Sequence, residues 1–270
     1  MQIIEVDLRN DQVRKELISY LAEQETKALF LVGNLQESSL PSFVYVAKLK
    51  GKMVGVCGYY PSFGSVSIFS ENAEASTEFA KVVIKQHSIS ALLGMADMAK
   101  PAYEVFVANG MVSKSPPEQF FLELKMDDFK PYVCKEGKIR AVEEKDEDTV
   151  VLLMRQLHGA SKAEPITEAE RLRVRSSSVM FCLEIEDQIV CIASSNGMAI
   201  KAFQILGVVT DPKFQKRGFA KAVCSHLISY MKNKGARNAV IFTGKENIPA
   251  QKCYFALGFN ITDKYFFAMF

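Results

Sequence analysis

Histidine is scarce in this chain, with three residues in 270, and the six cysteines form no C-x-x-C pair. Cys57, Cys134, Cys182, Cys191, Cys224 and Cys253 are scattered, so neither a metal site nor a disulfide framework is expected. Reduced, mostly buried thiols of a cytoplasmic protein are expected instead. No apolar run approaches the roughly 20 residues needed to cross a bilayer. The first eleven residues carry acidic side chains early and no basic start leading into an apolar core, so no secretory signal is expected there. An excess of one charge is lacking too: the formal net charge is +2 and there is no dense Lys/Arg block beyond one loop. That balance argues against nucleic acid and against an anionic membrane surface as partners. What remains is ordinary globular composition, 49% hydrophobic and 24% charged, in a chain long enough for one large domain or two smaller ones.

Periodicity gives a coarse order of elements. Residues 3–6 read as a strand, and residues 11–24 as a helix capped by Asn10 or Asp11 with Val13, Leu17, Ile18 and Leu21 on its apolar face. Residues 43–49 and 53–60 are strand-like runs joined through Lys50-Gly51-Lys52, a hairpin signal. A strand at 66–69, a helix at 73–87, an apolar run at 91–95, a short helix at 102–107 and a strand at 120–124 follow. Residues 126–136 are charged and contain proline, and the pattern then restarts: a strand at 139–142, a helix at 147–158, a second hairpin around Glu186-Asp187-Gln188, and strands at 205–210, 239–243 and 264–270 with helices between them.

The organising stretch is Ile205 to Leu227. A β-branched strand ends at Asp211-Pro212, an amphipathic helix resumes at Phe219, and Gln215-Lys216-Arg217-Gly218-Phe219-Ala220 lies between. The first N–H groups of a helix are unpaired and carry partial positive charge, so they receive a phosphate where small residues leave the backbone accessible. Gly218 and Ala220 supply that access, and Lys216, Arg217 and Lys221 add positive charge. The other reading is an ordinary strand-to-helix turn with a solvated basic rim. A nucleotide-binding loop fits poorly, because G-x-x-x-x-G-K-[ST] is missing.

This loop resembles the Gln/Arg-x-x-Gly-x-Gly/Ala signature of the GNAT superfamily of acyl-CoA-dependent N-acyltransferases, with Gln215, Gly218 and Ala220 at the signature places. Downstream, Asn247, Tyr254 and Gly258-Phe259 resemble the family's Asn, helix Tyr and Gly-Phe before the last strand. The resemblance implies an α/β fold of two tandem GNAT-like domains, each a mixed, mostly antiparallel sheet flanked by helices. These are a degenerate domain at 1–130 and a competent one at 137–270. Pro101 to Met111 lines up with Pro249 to Phe259 at a constant offset of 148 residues, matching Pro, Ala, Ala and Gly and placing Phe106 opposite Tyr254 and Ala99 opposite Asn247. The same offset carries the phosphate loop to residues 67–72, which hold no glycine and include Glu71. The first half is therefore expected to have lost its cofactor site.

The resemblance also implies the chemistry. The backbone of Val208, Val209 and Thr210 would pair with the pantetheine arm of acetyl-CoA, the backbone of Gln215, Lys216, Arg217, Gly218, Phe219 and Ala220 would hold its pyrophosphate, and Asn247 would bond the arm. Tyr254, with a reference pKa near 10, would act as the general acid for the departing thiolate, and a primary amine would accept the acetyl group. The alternative for Tyr254 is a buried phenol that satisfies a neighbour, and for Asn247 a helix N-cap. The base is unassigned: its expected place is Gln204, an amide, while Glu184 and Glu186 lie in the preceding hairpin and His158 and His226 suit surface or packing roles. A monomer or homodimer is expected, and a non-catalytic CoA-binding module is the alternative function.

Overall fold

The computed structural model describes residues 1–36, 42–114, 117–157, 164–175, 177 and 179–270. One series of ten elements occurs twice. Its first pass is β1 (Gln2–Val6), α1 (Asp11–Ala22), α2 (Leu29–Gln36), β2 (Phe43–Leu49), β3 (Lys52–Tyr60), β4 (Ser65–Ser70), α3 (Ala73–Gln86), β5 (Ala91–Met95), α4 (Ala96–Ala108) and β6 (Glu118–Lys125). Its second pass is β7 (Lys138–Ala141), α5 (Glu147–Leu157), α6 (Glu168–Arg175), β8 (Val179–Ile185), β9 (Gln188–Met198), β10 (Ala202–Thr210), α7 (Phe219–Asn233), β11 (Asn238–Thr243), α8 (Ile248–Leu257) and β12 (Asn260–Met269).

Local chemistry sets many of these boundaries. Asn10 caps α1, its Oδ1 accepting from the N–H groups of Gln12 and Val13 at 3.0 and 3.4 Å, and Leu17 and Leu21 form the buried stripe. The β2–β3 hairpin turns through Lys50 and Gly51, with φ of 51° and 81°, and the β8–β9 hairpin through Glu186 and Asp187, with φ of 47° and 62°. Two consecutive positive φ values match the right-handed twist of the flanking strands. α4 starts six residues earlier than the expected 102, with Pro101 inside the helix. Proline is at home at a helix start, as Pro249 is in α8, but β5 runs directly into α4 and fixes the first turn upstream of Pro101.

The chain packs as two units, one of Met1–Phe121, Phe242–Glu246 and Ile261–Phe270, the other of Leu122–Ile241 and Asn247–Asn260. In the first, the strand order is β1-β2-β3-β4-β5-β12, antiparallel except for β4 with β5. Its core gathers Tyr45, Ile68, Phe79, Leu92, Phe106 and Phe266. In the second, β11-β10-β9-β8-β7 follow the end of β6, and only β10 with β11 is parallel among the pairs of β7 to β11. Val150, Leu153, Met180, Ile192 and Val209 pack there. Each unit thus has a mixed, mostly antiparallel sheet with helices on it. β12, the last strand of the second series, pairs with β5 in the first unit, Tyr265 to Met269 against Met95 to Ala91. The linear halves 1–130 and 137–270 and the packed units are therefore different divisions of one chain.

Candidate functional site

β10 and β11 pair only over Ala202–Gln204 and Asn238–Val240. Beyond Gln204 β10 keeps β9 alone, and with register shifts between Phe203 and Ile205 and between Leu206 and Val209. Gly207 occupies the second shift with φ +59°, a conformation that suits glycine and marks a bulge. The parallel pair therefore opens toward Thr210, leaving the β11-facing backbone of residues 205–210 outside that ladder. Val208 and Thr210 are half-buried, while Val209 belongs to the core. The two valine side chains are apolar, while the Thr210 hydroxyl meets Cys191 Sγ at 3.1 Å.

The connection after Thr210 is held locally. Asp211 Oδ1 accepts from Lys213 N at 2.9 Å, and Gln215 Nε2 donates to Thr210 O at 3.3 Å. Lys216 has φ +65° and Gly218 φ +82°, and α7 starts at Gly218 with no side-chain cap. A helix leaves its opening donors without intrahelical partners, and no side chain caps those of α7. Gln215, Lys216 and Arg217 are exposed. Phe219 is buried at 1% exposure, so only its backbone faces outward, and Ala220 is half-buried. The guanidinium of Arg217 lies 4.8 Å from the Phe219 ring centroid and pairs with Glu136. Glycine at 218 has a different cause from the one read in the sequence: its φ is left-handed, and a Cβ there would stand 2.7 Å from the phenol oxygen of Tyr132. The space it keeps free is filled by protein.

α8 begins at Asn247, whose Oδ1 accepts from Ala250 N at 3.3 Å, so this side chain serves as an N-cap. Two turns on, Tyr254 is 5% exposed and meets Phe259 edge-on with centroids 5.9 Å apart. Burial first, then the nearby thiols of Cys224, Cys253 and Cys191, raise its pKa well above the ordinary tyrosine value. Those thiols form a cluster. Cys224 and Cys253 are hydrogen-bonded; the Cys224 S–H and the Lys221 ammonium favour the Cys253 thiolate and lower its pKa, while that of Cys224 rises. The Cys191 Sγ lies 3.1 Å from Thr210 Oγ1, which ties the cluster to the end of β10. The sequence shows these cysteines only as scattered; the Lys221–Cys224 spacing and the Cys253-Tyr254 adjacency are the linear signals of the group. Among the described residues no His/Cys/Asp/Glu group could hold a metal ion.

Residues 147–259 match the sequence model of the Acetyltransferase (GNAT) family. The likeness to the GNAT acetyltransferase family in sequence therefore lies on this segment. Solved structures extend the likeness of fold to both halves. A Drosophila protein superposes with a TM-score of 0.70 at 14% identity, covering 99% of this chain and 98% of its own. A tandem GNAT protein from the clavulanic acid biosynthesis pathway gives 0.64 at 11% identity over 99% and 97%. A GCN5-related N-acetyltransferase from Kribbella flavida gives 0.61 at 12% over 90% and 95%. No curated protein matches the chain. No helix among the described residues is long and apolar enough to cross a membrane.

The family-matched segment has no carboxylate free at the expected base position among the described residues. Gln204 stands where the β10–β11 pairing ends. Glu184 is held by Arg140 Nε at 2.6 Å, and Glu186 is exposed in its turn. His226 sits edge-on to Phe181, centroids 4.6 Å apart, and desolvation lowers its pKa; His158 lies outside the described residues. An open cavity of about 460 Å³, lined by Glu143, Glu147, Arg175, Met180, Phe181 and Tyr230 among others, lies at the start of β8, away from the end that leads to the loop.

In the other half the GNAT loop is missing rather than altered. Residues 67–70 belong to β4, and only Glu71 and Asn72 separate it from α3, against eight residues between β10 and α7. The fixed offset of 148 therefore fails at this point. Asn72 Oδ1 accepts from Ala75 N at 2.9 Å, closing the helix end that Gly218 leaves open, and Tyr20 donates to Glu71 Oε1 at 2.8 Å. Ala99 does not sit at a helix start, as Asn247 does, but inside α4. Phe106 is fully buried against Phe270 and has no proton to give.

Proposed function

We propose that this protein transfers the acetyl group of acetyl-CoA to a primary amine by direct attack. The observation that carries the reading is the opening between β10 and β11, which leads to the uncapped N-terminus of α7 within the segment that matches the family. The residues present fit such a cosubstrate. The backbone of Val208, Val209 and Thr210 offers edge donors and acceptors for an amide-bearing arm, and the N–H groups of Gly218 to Lys221, with Lys216 nearby, suit a pyrophosphate.

The bound thioester would supply an activated acyl carbon. As the amine nitrogen bonds to that carbon and the C–S bond breaks, the sulfur needs a proton, and Tyr254 is the donor proposed. Burial keeps its phenol protonated through the neutral range. The nitrogen loses its proton to water, because the residue at the base position is the amide Gln204. That same amide favours a second reading, a non-catalytic CoA-binding module.

Titration of acetyl-CoA by calorimetry tests the site. Gly218→Glu would be a poor control, since its backbone and Tyr132 both resist a side chain. Ala220→Asp is better, because a carboxylate in the first turn favours the helix while opposing a phosphate. One-to-one binding by the wild type, lost in Ala220→Asp with the fold intact, supports the reading; absence of wild-type binding removes it. An amine screen with the binding-competent protein then separates enzyme from binding module.

A further inference from the structure

The connector at residues 126–137 lies along α7. Lys232 Nζ donates to Met126 O at 3.0 Å near the end of the helix, Tyr132 N donates to the Oγ of buried Ser225 at 2.8 Å, and Glu136 pairs with Arg217 just before the helix starts. Lys130 N is held as well, by Leu257 O at 3.0 Å. Gly218, Lys221 and Ser225 follow one another at helical spacing and share one face of α7. Tyr132 covers that face. Its backbone is fixed at Ser225, the Lys221 ammonium lies 3.7 Å from its ring centroid, and its oxygen reaches the N-cap, 2.7 Å from where a Cβ of residue 218 would be.

The phenol therefore stands beside the open N–H groups of α7, and its O–H is uncommitted: among the described residues no partner accepts from it. A cation against the face of a ring draws on its π-electrons, which makes the phenolic O–H a better donor. We infer that Tyr132 is a further contact for the anionic end of the acyl-CoA, donating its phenolic hydrogen to a phosphate oxygen received at the N-terminus of α7. The inference rests on the cosubstrate reading above and adds a residue outside the family-matched segment 147–259. It gives the connector a binding role, which its charge and proline content did not announce.

The test is calorimetric titration of acetyl-CoA into wild type, Tyr132→Phe and Val133→Ala. Phenylalanine keeps the ring under Lys221 and removes only the donor, so the ligand-free melting temperature should move by no more than about 2 °C. A lost hydrogen bond to a charged group corresponds to a roughly tenfold weaker Kd, expected for Tyr132→Phe and not for Val133→Ala, whose side chain is exposed. S-acetylpantetheine, which has no phosphate, should compete equally well against both proteins at matched occupancy. Unchanged acetyl-CoA affinity in Tyr132→Phe overturns the inference and leaves the cosubstrate reading standing; equal loss for both ligands overturns the phosphate contact. Failure of the wild type to bind acetyl-CoA overturns the reading and the inference together.

Discussion

Arg217 is ion-paired to Glu136 while its guanidinium lies over the rings of Phe219 and Phe214, 4.8 and 5.6 Å from their centroids. A basic side chain of the loop is thus already neutralised by a carboxylate from the connector, at the place where an incoming phosphate would want it.

Glu136→Gln should therefore strengthen acetyl-CoA binding about two- to threefold at low ionic strength, and less at high salt, where exposed charges are screened. The pair is exposed, so stability should change by no more than about 0.5 kcal/mol. Titrations at two salt concentrations check it. Weaker binding in the variant would mean that Glu136 positions Arg217 instead of competing for it.

Tyr254→Phe should lower turnover with the best amine found by about 10²-fold or more, the usual scale of a lost general acid, with little change in the affinity for acetyl-CoA. Both are read from steady-state rates and calorimetry on one preparation. A variant that turns over like wild type would leave the phenol as core packing against Phe259.

Cys253 should be the first thiol of its cluster to be alkylated. Its pKa is lowered by the Cys224 S–H and then by Lys221, whereas Cys224 is buried and raised. Because the thiolate is the reactive form, the labelling rate of Cys253 should stay high at a pH where a free thiol slows, and fall only on further acidification. Cys224→Ala removes the donor and should move that profile to higher pH. Peptide mapping after timed iodoacetamide treatment measures both, and labelling of Cys224 ahead of Cys253 would contradict the assignment.

Acid should weaken the second unit through Asp146. This carboxylate is buried, accepts from Arg140 at 2.5 and 3.0 Å and from Glu143 N at 2.9 Å, and the Arg140 bonds hold its pKa below the usual value. A group lowered on folding stabilises above its unfolded pKa of about 3.9 and loses that contribution as pH falls through the folded value. Asp146→Asn should cost on the order of 3 kcal/mol at pH 7 and show a shallower loss of stability between about pH 5 and 2. Denaturant unfolding across that range decides it.

What was legible in the sequence was local. Both hairpins follow from turn residues that tolerate positive φ, and α7 from the spacing of Phe219, Ala222, Val223, Leu227 and Met231. The loop was legible because glycine and alanine at 218 and 220 fall in a two-motif pattern that continues at Asn247 and Tyr254. What escaped was set by distance in the chain or by length. Tyr132 reaches Gly218 across 85 intervening positions of unrelated pattern, and Cys191 meets the Tyr254 cluster through β9. A gap-free offset hid the fact that the first half keeps two residues where the second has eight. The apolar run of β12 announces a strand but not its neighbour.

That neighbour gives the chain an order of completion. With β12 against β5, and Phe266 and Ala268 inside the core around Phe79 and Phe106, the first repeat to leave a ribosome waits for the last strand to be synthesised before its sheet is whole. A fragment cut within the connector would carry β5 as an open edge, the kind of surface on which strands of different molecules pair. The working gene fragment for either repeat is consequently the whole one.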